Sequence, residues 1–233
     1  PTWTEDVLQN YDGSITWVPY TAINLVDSGT CGTDVRWELT DDGVLTVSGT
    51  GSMANYTTNA NVPWAGYASQ ITRLVIGDGI TFIGNRTFAG LSNLTDVTIP
   101  NSVTSIGEAA FSTCSALEHI DLPENLTSIG RYAFNYCTKL ISITLPEGLT
   151  SISEGAFYAC RKLESVTIPD SVTTMGNYAF YQCDSMTHVS IGSGLTTMGK
   201  NAFELCDSLT SVIIHDAPVS IGNYAFTWCE ALE

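Results

Sequence analysis

Seven phenylalanines recur at one interval: Phe88, Phe111, Phe134, Phe157, Phe180, Phe203 and Phe226, each 23 residues after the last. A fixed period of about 20 to 50 residues marks a repeat array, in which one short unit cannot bury its own apolar face and stacks on copies of itself. Function in such a chain resides on the surface of the stack.

The unit Ile129-Gly130-Arg131-Tyr132-Ala133-Phe134-Asn135-Tyr136-Cys137-Thr138-Lys139-Leu140-Ile141-Ser142-Ile143-Thr144-Leu145-Pro146 divides in two. Ile129, Ala133, Phe134 and Cys137 fall at helix-like offsets, which predicts a helical turn. Ile143 and Leu145 alternate with Ser142 and Thr144 at the period of a half-buried strand. Glycines 84, 107, 130, 176, 199 and 222 precede the turn, where the absence of Cβ permits a left-handed conformation. Prolines 100, 123, 146 and 169 close the strands, because proline cannot donate to a ladder. Apolar columns complete the pattern, for example Leu94, Leu117, Leu140, Leu163, Met186 and Leu209. Stacked at about 4.8 Å per strand, they predict one continuous core. Leu74 and Ile76 keep the register in a leading unit without its phenylalanine. The expected fold is an α/β solenoid with one short parallel strand and one helical turn per repeat.

Upstream, Val35, Trp37 and Leu39 alternate on one side of Asp42-Gly43, and Leu45 and Val47 on the other, which reads as a hairpin. A small β cap over residues 1–65 is therefore expected, followed by the solenoid over residues 66–233. Residues 1–28, with Asp12-Gly13 and several aromatics, are read as further β structure. Ser153 departs from the turn glycine, Gly192 and His215 from the proline, and Pro218 from a core position, so the last full repeat is expected to be distorted. The sequence stops mid-repeat without a polar closing unit, and a fragment of a longer parent is expected.

Charge and hydropathy exclude several partners. The net charge of −16, from 24 acidic and 8 basic residues, repels nucleic acid and gains nothing at an anionic bilayer. No apolar run approaches the roughly 20 residues of a membrane span, so direct membrane insertion is not expected. The first residues lack the features of a signal peptide.

Six cysteines lie three residues after a phenylalanine: Cys114, Cys137, Cys160, Cys183, Cys206 and Cys229. Spacing between stacked repeats leaves disulfide pairing open, but identical positions point their Cβ atoms the same way and Leu91 fills the first slot. Free, buried thiols are the reading. Zinc would need close ligand pairs, which are absent, so no metal or other cofactor is expected. His119 and His188 are three repeats apart, roughly 14 Å, and His215 lies further along its strand. Asp96 and His119 are expected side by side with Asp121 diagonal to them, a set able to bind a cation or move a proton but better read as solvated surface. No hydroxyl has a positioned base, so no catalytic residue is assigned and an enzyme is not expected.

The string Ile-Gly-x-x-Ala-Phe-x-x-Cys-x-x-Leu-x-x-Ile-x-Ile-Pro, nearly whole at 106–123 and 129–146, resembles the BspA-type leucine-rich repeat of bacterial surface proteins. The likeness covers about residues 71–233. The stretch from Gly29-Thr30-Cys31-Gly32 to Gly49-Thr50-Gly51 also resembles the leader that precedes such arrays in gut Firmicutes. The resemblance implies a right-handed leucine-rich repeat superhelix, extracellular or cell-surface placement, and adhesion to a host or neighbouring-cell surface protein.

Two surfaces are candidates. The outward, concave strand face carries Asp96, His119, Ser142, Ser165, His188 and Ser211 in one column and Thr98, Asp121, Thr144, Thr167 and Ser190 in the next. Beside it runs an acidic edge of Asp78, Glu124, Glu147, Asp170 and Asp216. This shallow, negative surface suits a protein partner with basic groups. The second surface is aromatic: Tyr132, Tyr136, Tyr158, Tyr178, Tyr181, Tyr224 and Trp228 flank the phenylalanine column. It is the candidate for a glycan partner, in a carbohydrate-binding or substrate-targeting module, and Trp3, Trp17, Trp37 and Trp64 of the leader are further platforms. A passive spacer is the third reading.

Overall fold

The phenylalanine column is the axis of the molecule. In the computed structural model, which describes residues 22–216 and 219–233, Phe88 through Phe203 are fully buried. Successive ring centroids lie 5.1–5.5 Å apart, and from Phe111 onward the planes are within 7° of parallel. Leucine, isoleucine and valine columns pack around this ladder in one continuous core. The stack extends toward the N-terminus, because Trp64 lies 5.6 Å from Phe88 at 17° and Trp37 meets Trp64 edge-on at 5.7 Å. Trp64 stands one residue before the position that the period reserves, which hid it in the sequence. Both indoles are buried, so neither is a leader platform as expected. Trp3, Trp17, the Asp12-Gly13 pair and Pro218 lie outside the described residues.

Three antiparallel strands lead in: β1 (Leu25–Thr30), β2 (Val35–Thr40) and β3 (Val44–Gly49). Gly43, with φ +82°, makes the turn between β2 and β3. Strand β3 then pairs in parallel with Arg73–Ile76, which pairs with Asp96–Thr98, so the sheet passes into the solenoid without a break.

Each repeat supplies strand at two places. The expected one appears as Ser165–Ile168, His188–Ile191 and Ser211–Ile214, paired in register, and as the His119–Ser142 bridge. The second was not anticipated. Segments such as Ser105–Ile106, Ser128–Ile129, Ser151–Ile152 and Thr174–Met175 form an eight-stranded, largely parallel ribbon along another side. Its corner is held by a threonine column: Thr104, Thr127, Thr150, Thr173 and Thr196 each donate a hydroxyl to the carbonyl 23 residues earlier, at 2.9–3.4 Å.

The helical turn does not form. The helical segments among the described residues are two short 3-10 turns, Asn59–Asn61 and Ala65–Tyr67. Around each phenylalanine the backbone instead takes positive φ two residues before and two residues after, as at Tyr132 (55°) and Tyr136 (58°), or Tyr178 (58°) and Gln182 (57°). Such residues cannot continue a right-handed helix. Their amides, and that of the phenylalanine between them, point at the following repeat: Tyr132, Phe134 and Tyr136 donate to the carbonyls of Glu154, Ala156 and Tyr158 at 2.8–2.9 Å. On the opposite corner the bonds run the other way, with Thr127 and Gly130 donating to Thr104 and Ile106 of the preceding repeat. The result is a β-solenoid in which alternate amides of the turn bond the next repeat, while those between them, of Ala133, Asn135 and Cys137, close local bonds to the carbonyl three residues back at 3.2–3.3 Å.

The repeated glycine is therefore needed for space, not for a left-handed backbone. A Cβ on Gly130 would lie 2.6 Å from the amide nitrogen of Glu108, and one on Gly107 would lie 2.5 Å from the Asn85 side chain. In the one repeat where serine takes this slot, Ser153 bonds the Ile129 carbonyl at 2.6 Å and the glycine moves to Gly155, at φ +59°.

Candidate functional site

Period-two alternation in the strands sends valine and isoleucine inward and sorts the polar residues onto one face. Asp96, Thr98, His119, Asp121, Ser142, Thr144, Ser165, Thr167 and His188 are exposed there, while Ser190 and Ser211 are half-buried. Parallel pairing aligns Ser165, His188 and Ser211 as neighbours, and beside them Thr167, Ser190 and Ile213. The face is thus a ribbon of small hydroxyls carried on strands whose other side is locked in the core.

Two shallow hollows open along it. One, of about 330 Å³, is lined by Ser142, Thr144, Ser165 and Thr167, with Glu147 and Pro169 at its border. The next, of about 400 Å³, shares Thr167, Glu147 and Pro169 and adds Asp170, Ser190, Gly192 and His215. Gly192 stands where earlier repeats carry proline, so the strand closes there without a ring. Asp170 Oδ1 accepts from the amide of Ser193 at 2.7 Å and from its hydroxyl at 3.1 Å, which fixes the carboxylate at the rim. His215 Nε2 lies 3.2 Å from Ser190 Oγ. His215 lies outside the face expected from the sequence, because it occupies the position where earlier repeats carry the strand-closing proline.

Two members of the expected Asp96–His119–Asp121 set find polar partners outside it. Asp96 pairs with Arg73 of the leading unit at 3.0 Å, and His119 Nδ1 lies 3.3 Å from Ser142 Oγ of the following repeat. His188 Nδ1 instead meets its own neighbour, Thr187 Oγ1, at 2.8 Å. Among the described residues no group of three or more His, Cys, Asp or Glu side chains is arranged to hold a metal ion.

On the turn side, three tyrosines form a second ladder. Tyr136 and Tyr158 are 5.5 Å apart, Tyr158 and Tyr181 stack at 4.7 Å and 13°, and Tyr178 meets Tyr181 edge-on at 5.7 Å. Burial pushes the Tyr158 phenol up to about 12, with Tyr136 and Tyr181 beside it adding to the effect. Tyr132 donates its hydroxyl to Glu154 at 2.8 Å, and Arg131 reaches the same carboxylate. Rings that stack on one another have spent their faces and turn edges to solvent. A sugar ring needs an open face, which Tyr224 and Trp228, 67% and 62% exposed, offer most fully, ahead of Tyr136 at 43% and Tyr178 at 36%.

The cysteine column is free and structural. Each thiol donates to the phenylalanine carbonyl 26 residues earlier, from Cys114 to Phe88 through Cys206 to Phe180, at 3.2–3.5 Å. Burial raises the thiols of Cys114, Cys137, Cys160 and Cys183, that of Cys137 to about 12, so they are neutral and unreactive.

Comparison with known proteins agrees with this architecture. A leucine-rich repeat protein of T. pallidum is 27% identical, covers 88% of this chain and 90% of its own, and superposes with a TM-score of 0.68. A leucine-rich repeat protein of Eubacterium ventriosum is 22% identical over 88% of this chain and 77% of its own, with a TM-score of 0.42. A leucine rich cell surface protein of Faecalibacterium prausnitzii is 20% identical over 89% of this chain and 93% of its own, with a TM-score of 0.33. No protein of curated function matches. Leucine-rich repeat solenoids are generally non-enzymatic modules of protein interaction or structure, and no catalytic family is indicated. BspA-type members are typically bacterial surface proteins, and no helix among the described residues is long and apolar enough to cross a membrane. The model of the BspA type leucine rich repeat region matches six copies across residues 65–179 and 150–233, so the chain belongs to the BspA-type leucine-rich repeat family.

Proposed function

We propose that the chain is an adhesion module of an exported bacterial protein, which engages a surface protein of a host or neighbouring cell through its strand face. The observation that supports this reading is the pair of adjoining hollows bordered by Glu147 and Asp170 on a ribbon of small hydroxyls. Small polar side chains lose little rotamer entropy on contact, and the carboxylates attract a partner's lysine or arginine from a distance. The cellular setting is that of the family, whose members are typically bacterial surface proteins.

The test is a binding screen of the chain against host matrix proteins at low and high salt, repeated with a Glu147→Gln, Asp170→Asn double variant. Binding that weakens with salt and falls about tenfold or more in the variant is the expected outcome. Capture that ignores both salt and the double substitution would overturn the assignment to this face. Glycan hits lost on Trp228→Ala would move recognition to the open aromatics instead.

A further inference from the structure

On the turn side the first rung of the amide ladder is only partly filled: the Tyr56 amide reaches the Asn85 carbonyl at 3.0 Å, and the next two carbonyls of the rung have no donor among the described residues. In every later repeat, the residues just before and just after the phenylalanine accept amides from the preceding turn: Ala110 from Phe88, Ser112 from Gly90, Ala133 from Phe111, Asn135 from Thr113. The corresponding carbonyls of the first repeat belong to Thr87 and Ala89. Among the described residues no amide reaches them, because the leading unit has 3-10 turns at Asn59–Asn61 and Ala65–Tyr67 where a stitched turn would stand.

Two adjoining hollows fill the space so vacated, sharing Asn59, Ala89 and Gly90. The first, of about 360 Å³, is lined by the hydroxyl-bearing Thr57, Thr58, Ser112 and Thr113 and by Arg86. The second, of about 400 Å³, is lined mainly by Ala60, Val62, Ala65, Ala68 and Leu91. Each lies within the roughly 300–1,000 Å³ of small-molecule sites. Gly90 keeps them joined, since a Cβ there would lie 2.8 Å from the Asn59 amide.

The lining chemistry selects a ligand. No carboxylate lines either hollow in a chain with 24 acidic residues, and the one cation, Arg86, is paired with Glu108 at 2.6 Å. A free cation finds no counter-charge and an anion finds a neutralised one. Hydroxyl and amide side chains both donate and accept, as sugar hydroxyls do. The apolar half takes a methyl group or the C–H face of a ring. We propose that this two-lobed groove binds a neutral N-acetylated pyranoside, hydroxyls in the Thr57–Thr113 lobe and acetamido methyl in the Val62–Ala68 lobe. Its hydroxyls can also donate to the vacant carbonyl of Ala89.

The groove is separate from the strand face, so the two readings stand or fall apart. The full 233-residue chain is titrated calorimetrically with N,N′,N″-triacetylchitotriose, and with cellotriose, which lacks acetamides. Saturable binding of chitotriose, weaker by about tenfold for cellotriose, is expected. Ala68→Trp, which fills the apolar lobe, and Asn59→Ala, which removes a polar contact at the junction, each weaken it by about tenfold or more at unchanged Tm. Asp170→Asn on the strand face leaves it unaltered. No saturable heat with chitotriose at millimolar concentration, or equal affinity in the Ala68→Trp and Asn59→Ala variants, overturns the proposal.

Discussion

The first and the last described repeats carry nearly the same columns and bury them differently. At the N-terminal end Leu45, Val47, Leu74 and Ile76 are buried, because β1 to β3 continue the sheet and Trp37 and Trp64 continue the ring ladder. In the last repeat, Ile214 and Ile221 are 37% and 49% exposed, although their counterparts one repeat earlier, Ile191 and Met198, are essentially buried. Residue type is conserved from one copy to the next while burial is not. Each repeat therefore draws its stability from its neighbours, as in a one-dimensional chain of coupled units.

That difference is sharpest at the rings. Phe157 is sandwiched between Phe134 and Phe180, whereas Phe226 is half-buried with a ring on one side. Phe157→Ala is expected to cost ~3–5 kcal/mol in urea unfolding, and Phe226→Ala less than half as much. Equal costs at both sites would break the comparison, since they would mean that a repeat's core is its own.

Smaller per residue is the effect of alkali. Buried thiols have raised pKa values, so between the unfolded value of 9.0 and the folded one the unfolded chain binds fewer protons. The stability that neutral thiols contribute is complete below 9.0 and is lost as pH rises toward about 12 at Cys137, but toward only about 11 at half-buried Cys229. The slope is ~1.4 kcal/mol per pH unit for each thiol. The urea midpoint is expected to be level up to about pH 8 and to fall beyond 9, with a shallower fall in Cys137→Ala than in Cys229→Ala. A midpoint that stays level past pH 10 in the parent chain contradicts the burial of this column.

The smallest effect concerns the N-terminal end. The indole nitrogen of Trp64 is buried without a hydrogen-bond partner among the described residues, so its N–H contributes nothing that phenylalanine lacks. Trp64→Phe trades some packing volume for the loss of that orphan donor, and a change within about 1 kcal/mol is expected from thermal unfolding. A loss as large as that of Phe157→Ala would show that the indole, not the ring ladder, joins the leading strands to the solenoid.

What could be read in the sequence was whatever repeats by burial. Phe134 recurs unchanged, and the positions of Cys137, Leu140 and Ile143 stay apolar from copy to copy, because each fills the same hole in a stack. The backbone of the turn could not be read this way. Tyr132 and Tyr136 hold left-handed conformations that residue type does not announce, and the offsets of Ile129, Ala133 and Cys137 fit a helix equally well. The bonds that decide the matter link residues 22 positions apart, from Tyr132 to Glu154, and compete with local helix bonds only when the stack exists. Ser128–Ile129 is too short to show a period of two. At the candidate face, the exposure of Ser142 and Ser165 followed from alternation. The partners of Asp96 and His119 did not, because Arg73 belongs to a unit that lacks the diagnostic phenylalanine.

The opposed direction of the stitching has an electrical consequence. Amides of the turn aim at the next repeat while those of the threonine corner aim at the one before, so the peptide dipoles of the two sides largely oppose each other. A helix lengthens its macrodipole with every turn and draws compensating charge to its ends. Here the two flanks oppose each other in every copy, so the backbone field along the axis builds up less than in a helix of the same length.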